Sequence, residues 1–196
     1  MGLINIDKKV ILYHGSRTSV DRPNINYSRE DVDFGSGFYL TEDETMAKKW
    51  ACNKYRSFLN VYHLDFHNLQ TYSFGLNEEW LQYCIDNRFL NKPKFDASKY
   101  DVLIGPTADD KMFNTLDMYA DGLLSVDETL KILNCMDYSR QIAVKSQHVI
   151  DNNLKFVSSK EIFGEEKEHY ISLFRQDRVE ANRRTEDLIR NIKRRK

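Results

Sequence analysis

Cysteine is scarce in this 196-residue chain, and Cys52, Cys84 and Cys135 are odd in number, scattered, and form no C-x-x-C pair. That pattern excludes a disulfide framework, offers no zinc clamp and fits a reducing, cytoplasmic compartment. Long apolar runs are also missing. Nothing approaches the length that spans a bilayer, the opening "MGLINIDKKV" lacks a signal-peptide apolar stretch, and a myristoylation pattern fails because Ile6 stands where Ser or Thr is needed. No membrane contact is expected. An excess of one charge sign is absent too: 29 basic side chains face 30 acidic ones, for a net charge of -1. That balance argues against a nucleic-acid binder that uses its whole surface. Low-complexity tracts and internal repeats are lacking, so disorder and solenoid architectures are excluded.

What is present is 41% hydrophobic residues, enough at this length for one sizeable core. The charge is unevenly distributed. Residues 175–196 hold nine Lys or Arg against four Asp or Glu, leaving this tail five charges positive and the remainder six negative. β-type runs rich in Val, Ile, Tyr and Phe recur at "KVILYH", "GFYLT", "NVYHLDF", "YDVLIG", "RQIAVKS" and "NLKFVSS", which predicts six strands. Thr41 and Glu44 stand three apart as a capping box before "TMAKKWACNKYRSF", and Ser125 and Glu128 repeat the signal before "TLKILNC". Further helices are predicted over "NEEWLQYCIDNRFL" and over "ADDKMFNTLDMYADG", closed by Gly122. Strands clustered at both ends with helices between them indicate an α+β fold. After Val157 the chain reads as one long charged helix with a weak apolar stripe at Ile171, Phe174, Ala181, Leu188 and Ile192. The expected organisation is a globular domain over residues 1–158 and a basic helical extension over 159–196.

The chemistry-bearing residues begin with His14, which ends the apolar "VILY" and precedes Gly15. A residue without Cβ leaves backbone amide and carbonyl open to a planar ligand. In "FGSGFYL", Gly35 and Gly37 lead into Phe38 and Tyr39, either as a flexible strand entry or as a close backbone approach beside an aromatic platform. "HLDFH" sets His63, Asp65 and His67 on one face of a strand, but no fourth ligand follows, so no metal is expected. Asp109 and Asp110 in "IGPTADD" read as helix-capping residues rather than ligands.

Taken together, "YHGS", "DFGSGFYLT" and "RQIAVKS" resemble the three sequence blocks of the ADP-ribosyltransferase superfamily, in the His-Tyr-Glu branch of diphtheria toxin and the poly(ADP-ribose) polymerases. "LYHGS", "SREDVDFGSGFYLT", "AKKWA", "DVLIGPTADD" and "NLKF" more closely resemble a bacterial family known as domain of unknown function 3990, over nearly all of residues 10–157. The resemblance implies two small antiparallel sheets around a cleft for NAD, with inserted helices and a C-terminal helix. It implies that His14 bonds the nicotinamide ribose, that the Gly15 backbone reads the carboxamide, and that Tyr39 stacks on the nicotinamide ring. Ser16 and Gly37 fall within the matching blocks and are carried over as NAD-binding positions. The polymerases close the other face of the ring with a tyrosine eleven positions on, which here lands on Trp50; the alternative is an indole turned into the core. Arg29 is a candidate for the pyrophosphate, or else a solvated loop residue.

The third member of the triad departs from the pattern, because Gln141 stands where the glutamate is usual. A carboxylate about 4 Å from the positive sugar of the transition state contributes roughly 4 kcal/mol at an effective dielectric near 20. Glutamine offers only a dipole, though it can accept a ribose hydroxyl and fix orientation. It is not a base, so chain elongation is not expected. The resulting expectation is a mono-ADP-ribosyltransferase with catalytic His14, Tyr39 and Gln141, NAD as co-substrate, no metal, and a protein or nucleic-acid acceptor. Toxin-like members of such families are held in check by a small inhibitory protein, which the resemblance implies as a partner by analogy. The alternatives are an NAD glycohydrolase, or a silent NAD- or nucleotide-binding module with a basic interaction tail.

Overall fold

The computed structural model describes residues 9–52, 55–90, 93–108, 115–134 and 139–193. Within them the six expected strands form, as β1 (Lys9–Ser16), β2 (Phe38–Thr41), β3 (Phe58–Asp65), β5 (Val102–Pro106), β6 (Arg140–Val144) and β7 (Leu154–Glu161). A further short strand, β4 (Thr71–Ser73), joins them by running parallel to β5. The α+β class is as expected, but the architecture is not two sheets. All seven strands lie in one mixed sheet, ordered β4-β5-β6-β2-β1-β3-β7. The reason is a narrow seam: β1 and β2 are joined through one residue pair, Tyr13 with Thr41, whereas β1 pairs with β3 over its whole length. Hydrogen bonding thus makes one sheet of two halves.

Three apolar clusters cover it. Leu12, Leu40, Tyr62, Ile142 and Val144 fill one face, capped by Val149 and Ile150 of α5 (Gln147–Asn153). On the other face Phe34, Phe74, Leu103 and Ala143 pack under α2 (Glu78–Ile85), together with Leu116 of α3 (Thr115–Ala120) and Leu133 of α4 (Val126–Leu133). Beside them Ala47 and Ala51 of α1 (Glu44–Ala51) lie with Leu59 and Ile162. Ser125 and Glu128 make the expected capping box of α4. The start of α1 differs. Its cap is Asp43, which accepts from the Met46 amide, while the fully buried Thr41 hydroxyl donates to the Arg140 carbonyl across the sheet. Thr41 is still in the strand, too early to cap. Asp109, Asp110 and Cys135 lie outside the described residues.

The strand character of β7 persists to Glu161, past Val157, and the long helix α6 (Gly164–Lys193) begins only after it. Its first half is docked. Tyr170 and Ile171 join the α1 cluster, Lys48 reaches Glu166 at 3.3 Å, and Lys49 reaches Asp177 at 2.6 Å. Thr185, further along, is buried as well. Among the described residues no helix is long and apolar enough to cross a membrane.

Candidate active site

The sheet brings the three expected catalytic residues onto three adjacent strands, His14 on β1, Tyr39 on β2 and Gln141 on β6. Strand alternation then divides them. Thr41 pairs with Gln141 and Tyr39 with Ala143, which sets Tyr39 and Gln141 on the α2 face. His14 instead lies against Phe38, whose ring belongs to the opposite cluster, with centroids 4.6 Å apart and the planes tilted by 36°. The imidazole spans the division through its Nδ1, 2.7 Å from the Tyr39 carbonyl oxygen. Since a carbonyl only accepts, Nδ1 carries the proton. Burial holds the ring below the ordinary histidine pKa, more strongly than the Tyr39 bond raises it. A neutral ring protonated at Nδ1 leaves Nε2 as a bare acceptor.

Beyond the Tyr13–Thr41 pair the two strands part, so the backbone of His14, Gly15 and Ser16 has no ladder partner on the β2 side. On the β3 side Asn60, fully buried, fixes the same stretch. Its Nδ2 donates to the His14 carbonyl at 3.2 Å and to Ser16 Oγ at 2.8 Å, while its Oδ1 accepts from the Val20 amide. Gly15 has a structural duty that sequence reasoning assigned only to ligand approach. A Cβ there would stand 2.0 Å from the Ala47 carbonyl oxygen and 2.8 Å from the Ala51 nitrogen, so its missing side chain admits the α1 backbone. Trp50, from the last turn of the same helix, is 37% exposed. Arg29 pairs with Asp31 at 3.2 Å on the surface, both side chains mostly exposed. Gly37 is held tightly, 3.1 Å separating its would-be Cβ from the Val144 carbonyl.

The segment 33–36 organises the rest. Tyr39 Oη donates to the Gly35 carbonyl at 2.7 Å and accepts from the Phe34 amide at 3.0 Å. Burial, aided by the nearby Asp33 charge, raises this phenol well above its usual range, so it stays protonated. Gln141, 5% exposed, donates through Nε2 to Asp33 Oδ2 at 2.6 Å and to the Pro106 carbonyl at 3.0 Å. Asp33 is equally buried, and its second oxygen accepts Arg88 Nε at 2.8 Å and Nη2 at 2.5 Å; the Ala108 amide donates to Oδ2 at 2.8 Å. Gly35 takes a positive φ of 65°. Lys145 closes the loop from the other side, donating to the carbonyls of Phe34 at 2.5 Å and of Ser36. Desolvation pushes its ammonium down to about 8.

Asp33 and Arg88 are site residues that the sequence blocks do not mark, although Asp33 opens "DFGSGFYLT". The one available signal was an acidic residue directly before a Phe-Gly turn. Arg88, 55 positions away, is delivered by a π-helical segment, Asp86–Leu90, that extends α2 and also sends Asn87 to the Asp33 carbonyl. Such wider turns recur at functional sites. Among the described residues no group of three or more potential metal ligands occurs, and Asp65 of "HLDFH" instead accepts the His67 amide.

The family described as protein of unknown function (DUF3990) matches residues 10–156, and the chain belongs to it. No curated protein and no solved structure matches the chain. The matched span runs from the second residue of β1 to the third residue of β7 and contains His14, Asp33, Tyr39, Arg88 and Gln141.

Proposed function

We propose that this chain is an NAD-dependent mono-ADP-ribosyltransferase that breaks the nicotinamide–ribose bond and passes ADP-ribose to a macromolecule. The observation that carries the reading is the parting of β1 and β2 after a single residue pair, with a neutral His14 at the opening and its Nε2 uncommitted. In this reading a ribose hydroxyl donates to Nε2, and the backbone of Gly15, unpaired toward β2, meets the nicotinamide carboxamide. The Tyr39 ring supplies a flat surface held by the two bonds to its hydroxyl, and the exposed Trp50 indole is the candidate for the opposite face. Gln141 contributes Oε1 as an acceptor for a second hydroxyl.

The chemistry asks little acid or base of the protein. The C1′–N bond breaks, its electron pair neutralises the pyridinium nitrogen, and nicotinamide leaves uncharged. A bond from the acceptor's nucleophilic atom to C1′ forms, and the acceptor's proton passes to solvent. With no carboxylate at position 141 the acceptor must be nucleophilic by itself, which favours a single transfer over elongation. A small inhibitory partner remains part of the proposal by family analogy. A second reading, a silent NAD-binding module, is favoured by one observation: Asp33, the carboxylate beside Gln141, is already neutralised by Arg88.

Incubating the protein and a cell lysate with NAD labelled in both the nicotinamide and the adenylate separates the readings. Free nicotinamide with adenylate label on protein or nucleic acid is the expected result. Free nicotinamide with free ADP-ribose points to hydrolysis, and NAD binding without release points to the silent module. The absence of both binding and release overturns the proposal.

A further inference from the structure

We propose that Asp33 is a positioning residue for Gln141: its carboxylate draws the carboxamide nitrogen inward, so that Oε1 is the atom residue 141 presents, and it thereby explains why a glutamine stands there. The consequence for catalysis rests on the NAD chemistry proposed above; the pairing itself does not.

The orientation of the amide follows from its neighbours. Asp33 Oδ2 at 2.6 Å and the Pro106 carbonyl oxygen at 3.0 Å are both acceptors, so only the NH2 end can face them. Pro106 is itself fixed, because the Trp80 indole donates to the same carbonyl at 3.1 Å. Asp33 is fixed more firmly still, by Arg88 on Oδ1 and by the Ala108 amide on Oδ2. The charge-assisted bond to Gln141 therefore comes from a carboxylate with no freedom to turn. A glutamate at 141 would set a second carboxylate against that oxygen and against a carbonyl, with no donor between them. Arg88 Nη2 is engaged by Asp33 Oδ1 and the Ala108 carbonyl. One of two carboxylates this close takes up a proton. Position 33 thus holds the acidic group, and position 141 is held to a neutral one.

The test compares Asp33→Asn, Gln141→Glu and the double exchange with the wild type. In the wild type, the Gln141 side-chain NH2, assigned by its loss in Gln141→Glu, is expected to show one downfield proton slow to exchange with solvent. Asp33→Asn should remove that signature and lower nicotinamide release per folded molecule by about tenfold or more, at unchanged KM. The double exchange should release nicotinamide about tenfold faster than Gln141→Glu, because it restores one carboxylate and one carboxamide. An Asp33→Asn protein that keeps both the amide signature and its turnover overturns the inference. If that variant does not fold, Gln141→Glu decides. Its stability relative to wild type should fall between about pH 5 and about pH 8, as the second carboxylate is forced to ionise; a difference independent of pH overturns the pairing. A wild type that shows the amide signature yet releases no nicotinamide sinks the enzymatic reading and leaves Asp33 as the orienting group.

Discussion

The two sides of the seam between β1 and β2 are built in opposite ways. On the β6 side the carboxamide of Gln141, the carboxylate of Asp33 and the hydroxyl of Tyr39 are each bonded more than once to partners brought from 33–35, Pro106, the α2 extension and Ala108. On the β1 side His14 has one nitrogen committed, the strand beyond Tyr13 lacks a partner toward β2, and the Trp50 indole is partly exposed. A buried network with all its members satisfied is rigid, and removing one member leaves others unpaired. An unpaired backbone edge and a bare imidazole nitrogen are groups that a ligand can complete. The difference assigns the work. In the proposed reading the β1 wall offers groups for a ligand to complete, and the Asp33 network of the β6 wall fixes the Tyr39 hydroxyl and the Gln141 amide nitrogen so that the Tyr39 ring and Gln141 Oε1 are presented in one geometry.

The comparison breaks most severely at the base of the β1 wall. Gly15→Ala places a methyl 2.0 Å from the Ala47 carbonyl oxygen, which backbone cannot yield without moving α1. A loss of about 3 kcal/mol is expected from chemical denaturation, at the upper end of overpacking effects. A loss below about 1 kcal/mol would show that α1 rides loosely over the strand.

Lys145 sharpens the comparison through pH. Its folded pKa of about 8 lies below the ordinary 10.5, so between those values the unfolded chain binds more protons than the folded one. Stability linked to this group therefore rises with pH across that window. The wild type should gain stability relative to Lys145→Met from about pH 8 to about pH 10.5, read from unfolding midpoints. A parallel pair of curves would mean that the carbonyls of Phe34 and Ser36 fully offset the burial. The smallest effect belongs to the helix outside both walls. Asp177→Ala removes the partly exposed pair with Lys49 and should cost about 1 kcal/mol or less while leaving NAD cleavage unchanged.

Much of this frame is legible in the sequence, for reasons that differ by element. The six longer strands announce themselves by β-branched and aromatic runs, and the Ser125–Glu128 box by its spacing. Thr71–Ser73 is too short to show a period, and it is a strand only because β5 lies alongside. α5 carries just Val149 and Ile150 as buried residues behind its Ser146 cap, too few for an apolar stripe. His14, Tyr39 and Gln141 could be singled out because they sit in short blocks. The Asp33–Arg88 pair could not, since it joins a loop to a π-helical turn 55 residues on, and no local pattern encodes that closure. Gly15 shows a related limit: a sequence tells that a side chain is missing without telling whether a ligand or a helix uses the space. The seam likewise depends on a single cross-strand pair, which decides between one sheet and two.

The most direct measurement is nicotinamide release from NAD by the purified protein, set beside His14→Ala at matched folded concentration. The wild type is expected to release nicotinamide, with a loss at acid pH as the ring charges below its ordinary 6.5, and His14→Ala to be slower by about a hundredfold per folded molecule. Equal release by the two proteins, or none by either with NAD left unbound, would contradict the assignment of His14 to the substrate wall.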